Sequence, residues 1–516
     1  MANELIVDIG SMLSPPGRTP TSIAQIVFPE EILVAIFAQV LPGFERDMEL
    51  LVSDEDSDDN TFSENRSAVY HEFLARTVEV RVSEMQEHLR SRQPLNVAGV
   101  CRRWRAIALS TPSLWASWDI VVEFPTVPTL VLLDAFVSRS LDWSGSSLLD
   151  FRLRVDPHRL VERYGTNASI IEAVECTKSS SQLWSTIEKL SSCQKRWRKA
   201  EIHIPTQFDL SIYPLCLRPR ELTTIEEICM NCNLPVTWDP ASQPITESFS
   251  VLRRLELTVN NQRLRLHELE RMILGDTVEH LRICFEYSYN PEASPGTKAK
   301  EIPVVRRGLR QLYLEVYTNF SDWGNTYIEH TLQFLHCLSL SSLSLSHLSF
   351  SQLSLLVTFL DRNGSSLNNL YLGIWYPEFE FELEGMNEAI VNCLRPVPSL
   401  VSLHLVFDEF PIISTIISAL SQKSEQTFDI VPRLAHLDIE KGKAACMEFS
   451  TFITARWHVA PTHRSLEWVN LIRCLEIHET IEYKYLPYFY WTNMKNVEWK
   501  EVKRCVDEGL EFTSVL

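Results

Sequence analysis

Cys229 and Cys232 form a C-x-x-C pair, the spacing with which two thiolates grip a zinc ion. A structural zinc site needs four ligands, and no second Cys pair or Cys/His pair stands at a matching distance. Packing in and beside a strand is therefore the expectation, with no metal. His71-Glu72 opens an H-E-x-x-H pattern but lacks the second His, and neither G-x-x-x-x-G-K-[ST] nor G-x-S-x-G occurs. The remaining His and Asp residues form no recognisable catalytic set. A chain without enzyme activity of its own and without a cofactor is expected. Arg102, Arg103 and Arg105 cluster, but in an acidic chain three such arginines read as a solvated or ion-paired face.

The positions that hold these residues are set by a long chain. Its 516 residues exceed one typical domain, so two or more packed units or one extended array are expected. A hydrophobic share of 45% makes it globular rather than disordered. Gly is scarce, at 15 residues, which argues against glycine-loop nucleotide enzymes. The net charge is −19, from 48 Lys and Arg against 67 Asp and Glu. That excludes a broad nucleic-acid surface, because affinity for phosphate backbones comes from clustered cations. The 12 cysteines are scattered and suggest free thiols rather than a disulfide framework. No apolar run reaches 18 residues, so no membrane contact is expected. The first residues lack a basic start and an apolar core, so an intracellular protein, cytoplasmic or nuclear, is expected. The sequons at Asn65, Asn167, Asn319 and Asn363 then carry no meaning.

Residues 1–22 read as a flexible N-terminus rich in Ser, Thr and Pro. Pro29 suits the first position of a helix, and Glu30 and Glu31 suit its first turn. Ile32, Leu33, Ile36, Phe37 and Val40 line one stripe of that helix, which Pro42 ends. Residues 44–66 hold nine acidic and two basic residues, and the run Ser53–Asn60 within them reads as a solvated loop. The acidic insertion is placed at about 43–92. Leu95, Val97, Val100, Trp104, Ile107 and Ala108 then fit one helix with a buried face, stopped by Thr111-Pro112. Leu114, Trp115 and Trp118 follow as a second apolar anchor.

From about residue 148 an L-x-x-L-x-L unit keeps returning. It is clearest from Leu252, Leu309, Leu340, Leu367 and Leu400, and looser from Leu148, Trp197, Ile225, Val278, Leu434 and Leu466. From Trp197 on, the starts are 26 to 34 residues apart. That is close to the period of leucine-rich repeats. Each unit would give one strand whose alternate apolar residues face a core, and the intervening chain would return as helix or irregular turn. Such units bury their apolar sides only by stacking into a curved solenoid. Asn233 and Asn260 stand where such repeats often place a turn-bonding Asn. The fold class is thus α/β: an N-terminal helical domain at 23–122, an irregular leucine-rich-repeat-like solenoid at 123–482, and an aromatic C-terminal cap at 483–516.

The segments FPEEILVAIFAQV and VAGVCRRWRAIALSTPSLWASW resemble an F-box, more narrowly the F-box-like proteins abundant in mushroom-forming fungi. The matching residues are Pro29, Glu31, Ile32, Leu33, Ile36, Phe37, Val100, Cys101, Arg102, Trp104, Arg105, Ile107, Ala108, Thr111, Pro112, Leu114 and Trp115. Phe28 replaces the usual Leu, and roughly 50 residues separate the two halves where the compact motif has a short connection.

The resemblance implies docking on a Skp-type adaptor, and through it on a cullin–RING ubiquitin ligase. Pro29, Ile32, Leu33 and Ile36 would touch the adaptor as anchors of a helix in a groove. Phe37, Val100, Trp104 and Ile107 would form the F-box core. In leucine-rich repeats the residues between the core leucines point to the concave face, here Glu256, Arg282, Tyr313, Tyr371, His404 and Asp438. Mixed charge with Tyr suits binding of a protein substrate. The implied function is a substrate receptor. The alternative is a scaffold whose F-box does not operate in a ligase.

Overall fold

A computed structural model describes residues 101–122, 125–155, 168–205, 208, 210, 213, 215–218, 221–232, 236–238, 250–260, 277–286, 304–316, 322–375, 383–407, 411–424, 427–441, 446–458, 466–472 and 498–515. The chain divides into two compact units, 1–242 and 243–516. Residues 1–22, the acidic insertion, Pro29, Ile32, Leu33, Ile36, Phe37 and Val100 lie outside the described residues.

In the first unit, helix α1 spans Arg102–Ser110. Cys101 is extended (φ −157°) and its Sγ accepts the Trp104 N–H at 3.5 Å. One helix through 95–108 is therefore broken at Cys101, the extended N-cap from which α1 runs; Leu95, Val97 and Val100 lie outside the described residues. Thr111 ends α1, and Pro112 opens a short 3₁₀ turn, Pro112–Trp115. Ile107, Ala108, Leu114 and Trp115 form a buried cluster, with Trp104, Leu109 and Trp143 packed against it. The Trp115 ring lies 4.2 Å from that of Trp143, and its Nε1 donates to the Ala108 carbonyl at 2.6 Å.

A sheet follows directly. Strands β1 (Ser117–Val122), β2 (Leu149–Val155), β3 (Trp197–Ile204) and β4 (Glu227–Cys232) pair in parallel, in chain order. Parallel pairing needs a crossover. Helix α2 (Val127–Ser144) makes the first and helix α3 (Ala168–Ser192) lies in the second. Thr126 starts α2 with a reciprocal capping box to Thr129. The stretch expected as the helical domain, 23–122, thus ends in a strand, β1. Trp118 does not join Leu114 and Trp115 as a second anchor. It sits in β1 against Phe136 and Phe151, at ring distances of 6.5 and 5.2 Å. Trp118, Ile120 and Val122 alternate into the core without a leading leucine, so the repeat pattern does not mark this strand.

Among the described residues, the main sheet of the second unit has nine parallel strands in chain order. They are β5 (Arg254–Asn260), β6 (His280–Glu286), β7 (Gln311–Val316), β8 (Ser342–Leu348), β9 (Asn369–Ile374), β10 (Ser402–Phe407), β11 (His436–Glu440), β12 (Trp468–Ile472) and β13 (Glu511–Val515). From β7 onward every crossover carries a helix. These are α4 (Asp322–Phe334), α5 (Phe350–Asn363), α6 (Leu383–Leu394), α7 (Ser414–Ser421), α8 (Cys446–Trp457) and α9 (Glu498–Asp507). Each helix packs on the next, α4 on α5 through α8 on α9. Among the described residues no helix is long and apolar enough to cross a membrane.

The L-x-x-L-x-L units supply the core. Leu255, Leu281, Leu312, Leu343, Leu370, Leu403, Leu437 and Val469 fall in register on adjacent strands and are all buried. The leading residues of those units, from Leu252 to Leu466, are buried too. In α5 the spacing of Leu353, Leu356, Phe359 and Leu360 gives the helix one apolar face.

A buried amide, Asn363 at the end of α5, ties one turn. Asn260 closes β5 and its side chain, like Asn233, lies outside the described residues. Asn363 Oδ1 accepts from Cys337 N at 2.7 Å, and its Nδ2 donates to the Phe359 carbonyl at 2.8 Å. Within the stretch expected as a cap, 483–516, α9 leads into β13, which pairs with β12. Residues 483–497, with most of the aromatic run, lie outside the described residues.

Candidate functional site

Strand alternation leaves one face of the second unit's sheet polar. In β7, Leu312, Leu314 and Val316 are buried while Gln311, Tyr313 and Glu315 are only partly so. The six candidate residues share that face and one register row. Glu256 pairs with Arg282, Arg282 with Tyr313, Tyr371 with His404 and His404 with Asp438. Ser344 fills the step between Tyr313 and Tyr371. Asn470 and Thr513 continue the row beyond Asp438. Ser344 and Asn470 were missed, although each holds the same place between core residues in its repeat. A row this long follows from unshifted parallel pairing, which stacks the same repeat position strand after strand.

The row is cross-linked on its first three strands. Arg254 Nη2 lies 2.6 Å from Glu256 Oε1, and His280 Nε2 lies 2.9 Å from the same oxygen. His280 Nδ1 lies 2.6 Å from Gln311 Oε1. Arg282 Nη2 donates to Glu315 Oε2 at 2.9 Å, and the Cys284 thiol donates to that oxygen at 3.1 Å. Burial, the largest influence on Arg282, opposes its charge, but the hydrogen bonds and charges of Glu315 and Cys284 together outweigh it and the guanidinium pKa rises. Burial, helped by the Glu315 charge, pushes the Cys284 thiol up to about 12, so this cysteine is not a nucleophile at neutral pH.

The middle strands are neutral. Ser342 and Ser344 are buried, and the Tyr313 hydroxyl lies 3.4 Å from Ser342 Oγ. Gly373 lies where β8 bulges past its neighbour: a Cβ there would stand 3.1 Å from Ser346 Cα. The Tyr371 ring meets that of His404 edge-on at 4.6 Å. Further along, His404 Nε2 is 3.4 Å from Asp438 Oδ2, and Asn470 Nδ2 donates to Asp438 Oδ1 at 3.1 Å.

The first unit has its own polar row: Asp119, Arg152, Glu201 and Cys229 in register. Arg152 Nη1 lies 3.6 Å from the buried Asp119 and its Nε donates to Glu201 at 2.5 Å. Cys229 Sγ, His203 and Glu201 look like a nucleophile, base and acid in line. They are not one: His203 Nε2 faces both Glu201 Oε1, at 2.8 Å, and Cys229 Sγ, at 3.7 Å. A relay needs the acid on one ring nitrogen and the nucleophile on the other. Among the described residues no group of three or more His, Cys, Asp or Glu could hold a metal.

Of the remaining candidates, Trp104 and Ile107 meet in the cluster around Trp115, while Pro29, Ile32, Leu33, Ile36, Phe37 and Val100 lie outside the described residues. No protein-family model matches the chain, and no curated protein does.

Proposed function

We propose that this chain is the substrate receptor of a Skp–cullin–F-box ubiquitin ligase. An N-terminal F-box recruits the adaptor, and a leucine-rich-repeat-like solenoid presents its polar sheet face to a protein substrate. The chemistry belongs to partner subunits. The observation that carries the reading is the uninterrupted polar row from Glu256 to Thr513, set on parallel strands whose other face is the core. Parallel sheets are normally covered on both faces. A sheet that keeps Tyr, His, Arg and Asp open on one face is suited to a protein partner. The F-box half rests on the motif residues from Pro29 to Trp115, with Trp104, Ile107 and Trp115 packed together.

The test is co-expression with a Skp-type adaptor followed by size-exclusion chromatography. The wild type is expected to co-elute, and Ile36→Glu to lose the adaptor while keeping its own elution volume, because a carboxylate cannot enter an apolar groove without a partner. Deleting residues 44–66 is expected to preserve or strengthen co-elution. Absence of co-elution by both the wild type and the deletion contradicts the F-box reading.

A further inference from the structure

The charges along the polar face are not evenly settled. On β5–β7, Arg254 and Arg282 each have a carboxylate within 3 Å. On β9–β12 there is no Lys or Arg at any strand position. There β11 carries Asp438 and Glu440, two residues apart and thus on one face, about 7 Å apart along the strand. Among the described residues neither forms an ion pair with a Lys or Arg. Their basic neighbours on the face are His404 on β10 and His436 on β11 itself.

A second observation falls at the same place. His404 Nε2 and Asn470 Oδ1, on the strands that flank Asp438, have no hydrogen-bond partner among the described residues. His404 approaches Asp438 within 3.4 Å but is misaligned for a hydrogen bond. Buried polar atoms are normally paired. Burial and the Glu440 charge push the Asp438 carboxyl up, against the pull of His404. Two carboxylates on one strand and an amide oxygen all call for donors; in their row stand the rings of His404 and, one strand further, Tyr371, and two residues back along the face stand His436 and Trp468.

We propose that the β9–β12 face binds an extended basic segment of a partner protein, seating one Arg or Lys side chain across Asp438 and Glu440. A guanidinium or ammonium supplies donors to both carboxylates and can lie against an aromatic ring. The neutral floor of Ser344, Tyr371 and Gly373 takes the rest of the segment without a charge penalty. The inference rests on the receptor reading and names the chemistry of its substrate.

The probe is a displayed library of random twelve-residue peptides, selected on the full-length protein. Enriched peptides are expected to carry Arg or Lys at one fixed position. Asp438→Asn with Glu440→Gln is expected to weaken those peptides at least 10-fold, and Asp438→Lys with Glu440→Lys to select acidic peptides instead. A misfolded variant would select neither. Glu511→Gln, at the sheet edge, is expected to leave selection unchanged. No enrichment by the wild type, enrichment without a basic excess, or the same peptides from the Asn/Gln variant overturns the proposal. Ile36→Glu is expected to select the same peptides as the wild type, so loss of adaptor binding and loss of peptide selection are told apart.

Discussion

Replacing Arg456 with methionine is expected to lower the stability of the second unit by about 3–5 kcal/mol. Arg456 lies on α8 with its side chain wholly buried. Its Nε and Nη2 donate to the Leu420 carbonyl at 3.0 and 2.9 Å, Nη2 also to Ile430 at 2.9 Å, and Nη1 to Val431 at 3.0 Å. The guanidinium stands 4.1 Å from the centre of the Phe428 ring. Burial lowers its pKa, and the carbonyls offset that cost. The fork thus ties the end of α7 to the turn before β11, the strand that carries Asp438. Methionine fills part of the volume but leaves three carbonyls without these donors, at roughly 1–3 kcal/mol each, less the relief of a buried charge. Lysine should recover only part of the loss, because an ammonium cannot reproduce the planar fork. Urea unfolding followed by far-UV circular dichroism checks this. A loss under about 1 kcal/mol for Arg456→Met contradicts it.

Trp115→Ala is expected to cost about 3–5 kcal/mol in the first unit, the range for removing a large buried aromatic. Trp115 is 1% exposed, packs against Trp143 of α2 with the rings tilted by 56°, and satisfies the Ala108 carbonyl. It fastens α1 and the turn after it to α2. Trp104 only covers the same cluster from outside, so Trp104→Ala should cost clearly less. Thermal unfolding of both variants separates the two roles. A larger loss for Trp104→Ala would reverse the assignment.

Much of the strand order was legible because two periods coincide. The L-x-x-L-x-L spacing marks a strand, and its return every 26 to 34 residues marks a neighbour. All eleven units begin at or just before a sheet strand, from β2 to β12. The polar row followed from the same register, since the residue between two core positions must face away from the core. β1 and β13 escaped, because SWDIVV and EFTSV alternate without a leucine lead. The break at Cys101 escaped because helical spacing runs through it, while the cap geometry depends on a thiol that is a rare N-cap. Arg456 gave no signal at all. An arginine in a short helix reads as solvated, and only the fold shows three carbonyls converging on it. The uneven pairing of charge along the face depended on which strand lies beside which, and so on register rather than composition.

The most direct test of the account is to mix the purified chain and its Skp-type adaptor with cullin and RING subunits and pass them through one sizing column. A single peak holding all four proteins is expected, lost with Ile36→Glu, with ubiquitin transfer to a protein bearing a basic segment selected by the sheet face. Adaptor binding that excludes the cullin would make the chain a scaffold and contradict the receptor assignment.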